Sequence, residues 1–244
     1  MHSYPTSAPP GDAGAADQGT RTTITTHTED LDPLRRSLRQ RISDAVRGIA
    51  GPIVRFLVRI GVTPNAITLF GFALAIATCV LIIGEVWPAA FAVFFIGSVS
   101  DMFDGSVARL SGKVTRFGAF LDSTLDRTAE GLVLGAIGVV FARDGNWWAL
   151  GACFLALTAS FLVSYTRARA EGIGIHTNKG GLMSRPERLA LTGLGLLLAP
   201  IDHVLEGVIY VMAVLTTLTV AQRVVHVWQE LKVAESAPPA PRED

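Results

Sequence analysis

From Ala66 to Gly84 nineteen residues run without a charge, and from Trp147 to Thr166 twenty more do so. A helix needs about 20 predominantly apolar residues to cross the hydrocarbon core of a bilayer, so both stretches read as transmembrane. Four further apolar stretches are interrupted by charges and bounded by loop signals. Together they predict six spans, at about 66–84, 87–109, 117–142, 147–170, 186–202 and 205–230. Ahead of them Leu34, Leu38, Ile42, Val46 and Ile49 share one helical face, with Arg35, Arg36, Arg39, Arg41 and Arg47 around the rest. A basic amphipathic helix of this kind, over 34–50, suits an anionic membrane surface. Residues 1–32 are rich in small and polar types and lack the apolar run of a signal peptide. They and the tail from about Val233 to Asp244 are expected to be disordered. The predicted fold is all-α and integral to the membrane: one domain over 33–232, with six transmembrane helices preceded by the juxtamembrane helix.

Composition supports this and charge orients it. Of 244 residues half are apolar and only 17% charged, against about 25% in an average soluble protein. Eight of the 21 Lys and Arg precede the first span. Arg109, Lys113 and Arg116 lie at the second-to-third connection, and Arg167, Arg169, Lys179, Arg185 and Arg188 at the fourth-to-fifth. Arg223, Lys232 and Arg242 lie at the C-terminal end, while the opposite loops hold only Arg143. Lys and Arg collect in cytoplasmic loops, so both termini are expected in the cytoplasm, which requires an even number of spans. The expected location is the plasma membrane, with no nucleic-acid partner. Cys79 and Cys153 fall inside apolar stretches, where thiols are inert core residues.

Six charges fall within or at the edges of spans two and three: Asp101, Asp104, Asp122, Asp126, Arg127 and Glu130. A carboxylate there costs roughly 2.5–3.5 kcal/mol on insertion scales unless paired or ligated, which marks it as functional. Asp101 and Asp104 are three apart and Asp122 and Asp126 four apart, so each pair shares a helix face. A short basic loop makes the two helices antiparallel neighbours and lets four carboxylates converge. Oxygen ligands without His or Cys suit Mg²⁺ or Mn²⁺, and two such ions can clamp a diphosphate. Gly105 and Ala108 continue one face and Gly118 precedes Asp122 by a turn, leaving room for a ligand near the backbone.

Asp101-Met-Phe-Asp104-Gly105-Ser-Val-Ala108-Arg109, eight residues to Gly118, then Asp122 and Asp126, resembles the signature of the CDP-alcohol phosphotransferase family at every fixed position. Eight specified positions at about 5–7% usage each make chance agreement far rarer than one in a million. The resemblance implies that an acceptor hydroxyl attacks the β-phosphate of a CDP-linked lipid, usually CDP-diacylglycerol, with release of CMP. It implies two Mg²⁺ ions (Mn²⁺ as substitute) on Asp101, Asp104, Asp122 and Asp126, with Asp126 also taking the hydroxyl proton. It places the CDP group on Gly105, Ala108, Arg109, Thr115 and Gly118, helped by Thr63, Pro64, Asn65 and Ala66. The family also implies a homodimer.

Six arginines gather near the cytoplasmic ends: Arg116, Arg167, Arg169, Arg185, Arg188 and Arg223. Arg is suited to bidentate phosphate binding. Val163–Glu171, Ser184–Arg188 and Gln222-Arg223 are similar to segments of the phosphatidylinositol phosphate synthases of actinobacteria, with Arg167 where those enzymes usually carry Lys. That resemblance implies inositol 1-phosphate as acceptor, its phosphate among Arg116, Arg167, Arg185 and Arg223. Another acceptor such as glycerol 3-phosphate, a membrane prenyltransferase, and a cation transporter are the alternatives.

Overall fold

The computed structural model describes residues 51–52, 54–112, 114–175 and 181–236. The tail expected over 1–32, the basic helix expected over 34–50 and residues 237–244 lie outside them. The regular elements are helices: α1 (Pro64–Ile83), α2 (Trp87–Ser111), α3 (Arg116–Arg143), α4 (Trp147–Gly172), α5 (Arg185–Leu198) and α6 (Val204–Ser236). A further helical stretch at 54–59 sets Val54, Leu57 and Val58 against Ile67 of α1 and Val107 of α2.

Local chemistry sets the helix starts. Thr63 is extended and its Oγ1 accepts from the Ala66 N–H at 3.3 Å, with Pro64 supplying the first helical φ. Thr115 caps α3 in the same way, accepting from Gly118 N–H at 2.9 Å. Asn146 caps α4 through its Oδ1, which accepts from Ala149 N–H at 3.1 Å. α2 ends on Gly112 in the left-handed conformation, φ 66°.

Helix neighbours close a ring: α1 packs on α2, α2 on α5, α5 on α6, α6 on α4, α4 on α3, and α3 on α1. The ring's interior changes character along its length. Toward the α1–α2, α3–α4 and α5–α6 connections it is filled by Ile82, Ala90, Ile137, Ala149, Leu196 and Ile209. At that end Arg143 reaches across to donate to the Ile83 carbonyl at 2.5 Å and stands 3.7 Å from Glu85. Toward the other end the interior holds the charges described below.

Four helices are long and apolar enough to cross a membrane: α1, α2 over Trp87–Ala108, α4, and α6 over Val204–Val233. No more than 33% of any of these spans is buried within the protein, and large apolar side chains such as Val80, Phe95, Phe154 and Val214 face outward. An exterior of this kind suits lipid. α3 has the length, 28 residues, but carries the interior charges. α5 has only 14 residues, about 21 Å.

Three expectations change. The fifth span was expected over 186–202, but α5 stops at Leu198: Ala199 keeps helical backbone angles (φ −55°, ψ −29°), and Pro200 has no N–H to continue the helical hydrogen bonds. α6 runs to Ser236, past the expected boundary at Val233. The second and third spans were expected to be direct neighbours; among the described residues α2 and α3 make no close backbone contact, and α1 packs against both.

Candidate active site

Asp101 lies ten residues before the end of α2 and Asp126 ten after the start of α3. In antiparallel helices they therefore stand level, about 15 Å in from the connection. One nitrogen of Arg185, Nη2, donates to Asp101 Oδ2 at 2.9 Å and to Asp126 Oδ1 at 2.6 Å. Asp126 is 8% exposed and also lies 3.5 Å from Arg127 Nη1, while Arg127 Nε donates to Ser164 of α4 at 3.0 Å. Asp122, one turn nearer the connection, acts electrostatically on both Asp101 and Asp126. Asp104 stands one turn past Asp101 on α2.

The wall behind the carboxylates is glycine. A Cβ on Gly71 of α1 would lie 2.6 Å from Asp101 Oδ1, so the carboxylate seats where only glycine leaves space. Gly97 meets α1 as well: its Cβ would lie 3.4 Å from Leu74. Between these helices and α5 is a cavity of about 40 Å³, lined by Gly71, Ser98, Asp101, Asp126, Glu130 and Arg185. That is room for a few waters, not for a substrate.

Near the start of α3, two of the segments expected to hold a nucleotide meet. A Cβ on Gly118 would fall 2.9 Å from Thr115 Oγ1 and 3.0 Å from Asn65 Oδ1, which brings the start of α1 against the start of α3. Thr63, Pro64 and Ala66 form the capped turn beside Asn65. Gly105, Ala108 and Arg109 follow Asp101 and Asp104 along α2.

The arginines do not form one ring. Arg185 is turned onto the carboxylates. Arg223 of α6 donates through Nη1 to the Val163 carbonyl and is repelled by Arg167 and Arg188 nearby, while its Nε is buried without a partner. Arg167 is exposed and pairs with Glu171 at 3.0 Å. Arg116 is exposed at the first position of α3. Arg188 is only 1% exposed and belongs to the interior: Nε and Nη2 lie 2.5 and 3.0 Å from the two oxygens of Glu130.

Sequence reasoning missed the Glu130–Arg188 pairing and the role of Gly71. The first was open to it, since two opposite charges at membrane depth are expected to find each other; the second had no signal in the spacing. It also missed how residues 181–184 are held. Leu182 N–H donates to Gln222 at 3.3 Å and Met183 N–H to Thr219 at 2.9 Å, and a Cβ on Gly181 would strike Thr219 at 2.1 Å. Ser184 donates to the Glu187 carboxylate at the start of α5.

The site chemistry fits a hard divalent ion. Its donors are carboxylate oxygens from two helices, and a guanidinium already bridges two of them, so the pocket accommodates positive charge. Among the described residues no three His, Cys, Asp or Glu side chains stand in ligating positions as a group; Arg185 lies between Asp101 and Asp126.

Fold and site together define a helical membrane protein with an acidic pocket let into one end of its bundle. The family model for CDP-alcohol phosphatidyltransferase matches residues 61–228, and the chain belongs to that family. It is similar to the phosphatidylinositol phosphate synthase of Corynebacterium glutamicum, 36% identical over 184 residues that cover 72% of this chain and 83% of that one. The synthase of Streptomyces avermitilis is 37% identical over 198 residues, covering 76% and 80%. Among solved structures, Mycobacterium tuberculosis phosphatidylinositol phosphate synthase with CDP-DAG bound superposes with a TM-score of 0.68 at 32% identity, over 74% of this chain and 94% of that one. The same enzyme in complex with manganese and citrate gives 0.67 at 33%, over 73% and 88%.

Proposed function

We propose that this protein transfers the phosphatidyl group of CDP-diacylglycerol to inositol 1-phosphate, releasing CMP and leaving phosphatidylinositol phosphate in the membrane. One observation carries the reading: carboxylates on α2 and α3 meet a guanidinium of α5 inside the bundle, in a family whose similar members are named phosphatidylinositol phosphate synthases.

Asp101, Asp104, Asp122 and Asp126 would hold two Mg²⁺ ions, with Mn²⁺ as substitute; when bound, they neutralise diphosphate charge. The start of α1 and the start of α3, with Thr63–Ala66, Thr115 and Gly118, hold the cytidine end, joined by Gly105, Ala108 and Arg109 on α2. This sets the β-phosphate above the carboxylates. Asp126, only 8% exposed and with Glu130 one turn below it, takes the proton from the acceptor hydroxyl. The hydroxyl oxygen forms a bond to the β-phosphorus, the bond from that phosphorus to the bridging oxygen of CMP breaks, and CMP carries the electron pair away. Positioning supplies much of the acceleration. Arg185 and Arg223, with Arg167 beside Arg223 and Arg116 at the rim, receive the acceptor phosphate.

The same reading takes all six helices across the plasma membrane, with the site and both termini on the cytoplasmic side. Its support is that α3 keeps its charges inside the ring, and that Lys and Arg gather at the α2–α3 and α4–α5 ends. The test is an acceptor panel with purified protein and CDP-diacylglycerol, scored by CMP release. Inositol 1-phosphate should be the preferred acceptor; preference for glycerol 3-phosphate or free inositol would overturn the acceptor assignment, and CMP release with none would overturn the activity.

A further inference from the structure

α3 and α5 face each other across the ring, and among the described residues their backbones make no close contact. What joins them is two ion pairs one helical turn apart. Asp126 meets Arg185 at 2.6 Å; four residues on, Glu130 meets Arg188, three residues after Arg185. The outer pair opens on the site. The inner pair is closed: the side chains of Arg188 and Glu130 are 2% and 8% exposed, and both guanidinium edges are used. Arg188 also donates through Nη1 to the Met183 carbonyl at 3.3 Å, in the segment that leads into Arg185. The N–H groups of Leu182 and Met183, in that same segment, go to Gln222 and Thr219 of α6.

A buried ion pair is a poor device for stability, because apolar residues of similar size do as well or better. It is a good device for register, since the planar fork of arginine accepts one orientation of a carboxylate. Here the fork ties three things together: α3 one turn below Asp126, α5 one turn below Arg185, and the backbone just ahead of Arg185. We propose that Glu130 and Arg188 are positioning residues that fix where the Arg185 guanidinium stands relative to Asp126, and hence where the acceptor phosphate is held relative to the base. This rests on the acceptor role given to Arg185 above.

The test uses Glu130→Gln, Arg188→Gln, the double variant and Arg188→Lys, each purified in full length. For each, KM for inositol 1-phosphate, KM for CDP-diacylglycerol, kcat and the thermal midpoint are measured. Each Gln substitution alone strands a buried charge and lowers the midpoint, and the double variant, with neither charge, recovers it. Acceptor KM nonetheless stays raised in the double variant and in Arg188→Lys, by roughly ten- to a hundredfold, the effect of losing one charge-assisted hydrogen bond to the phosphate. The KM for CDP-diacylglycerol stays near that of the wild type. Wild-type acceptor KM in the double variant, or equal movement of both KM values, contradicts the proposal. So does a double variant that fails to recover its midpoint, since the pair would then be holding the bundle rather than the arginine. Wild-type turnover in the same series separates the two readings: if it prefers another phosphorylated alcohol, the acceptor assignment fails and the variants are scored on that alcohol.

Discussion

Asp101 holds its carboxylate against α1 only because residue 71 has no side chain. Gly71→Ala would place a methyl 2.6 Å from Oδ1, and the carboxylate, the freer of the two partners, has to turn away from Arg185 and Asp126. The expected outcome is a folded protein with transfer reduced by about tenfold or more, the scale of losing a fixed catalytic position; an unchanged rate would show that Asp101 tolerates displacement. Asp101→Asn, Asp104→Asn, Asp122→Asn and Asp126→Asn should each nearly abolish transfer. Charge stabilisation by bound metal is worth several kcal/mol, which is on the order of a hundredfold or more in rate. EDTA should do the same, reversibly on adding Mg²⁺, and more than a few per cent of activity in Asp122→Asn would sink the two-ion reading. These aspartates were legible in the sequence because a carboxylate at membrane depth announces itself by its cost. Gly71 was not, because its partner lies thirty residues on and glycine is common wherever membrane helices pack.

At the scale of the elements, residues 181–184 ahead of α5 are held closely against α6. Gly181 lies on Thr219, whose hydroxyl takes the Met183 N–H, and Gln222 takes the Leu182 N–H. Gly181→Val should therefore lift residues 181–184 from α6 and destabilise by about 1–3 kcal/mol, as overpacking does, with acceptor KM raised along with it. A thermal midpoint and acceptor KM both at wild-type values would refute that packing. The caps of α1, α3 and α4 could be read from Thr63-Pro64, Thr115 and Asn146, since the N-cap hydrogen bond is local. The end of α5 could have been read from Pro200 and was overrun, because the apolar run continues through Ile201. What local pattern cannot supply is adjacency. The sequence places Arg185, Arg188 and Arg223 in one basic group, and only the ring of helices sends Arg188 inward to Glu130 and Arg185 onto the carboxylates.

For the whole molecule, the ring explains how a chain half apolar keeps charged groups inside: among the described residues Asp101, Asp126 and Glu130 are compensated by Arg127, Arg185 and Arg188 within a few ångströms. Two spans are legible from hydropathy alone and the other four rest partly on loop signals; of those four, α2 and α6 prove long and apolar enough to cross, whereas α3 carries interior charges and α5 has only 14 residues. Orientation rests on the basic residues alone. In a background lacking Cys79 and Cys153, Asp144→Cys should react with an impermeant maleimide in intact cells. Reaction only after permeabilisation would reverse the assigned topology. The activity itself is tested most directly by the identity of the lipid product. Purified protein given CDP-diacylglycerol, inositol 1-phosphate and Mg²⁺ should convert the lipid to phosphatidylinositol phosphate, seen by mass spectrometry with the inositol phosphate retained and one CMP per product. A reaction that yields no such lipid, while glycerol 3-phosphate is consumed in its place, would contradict the account.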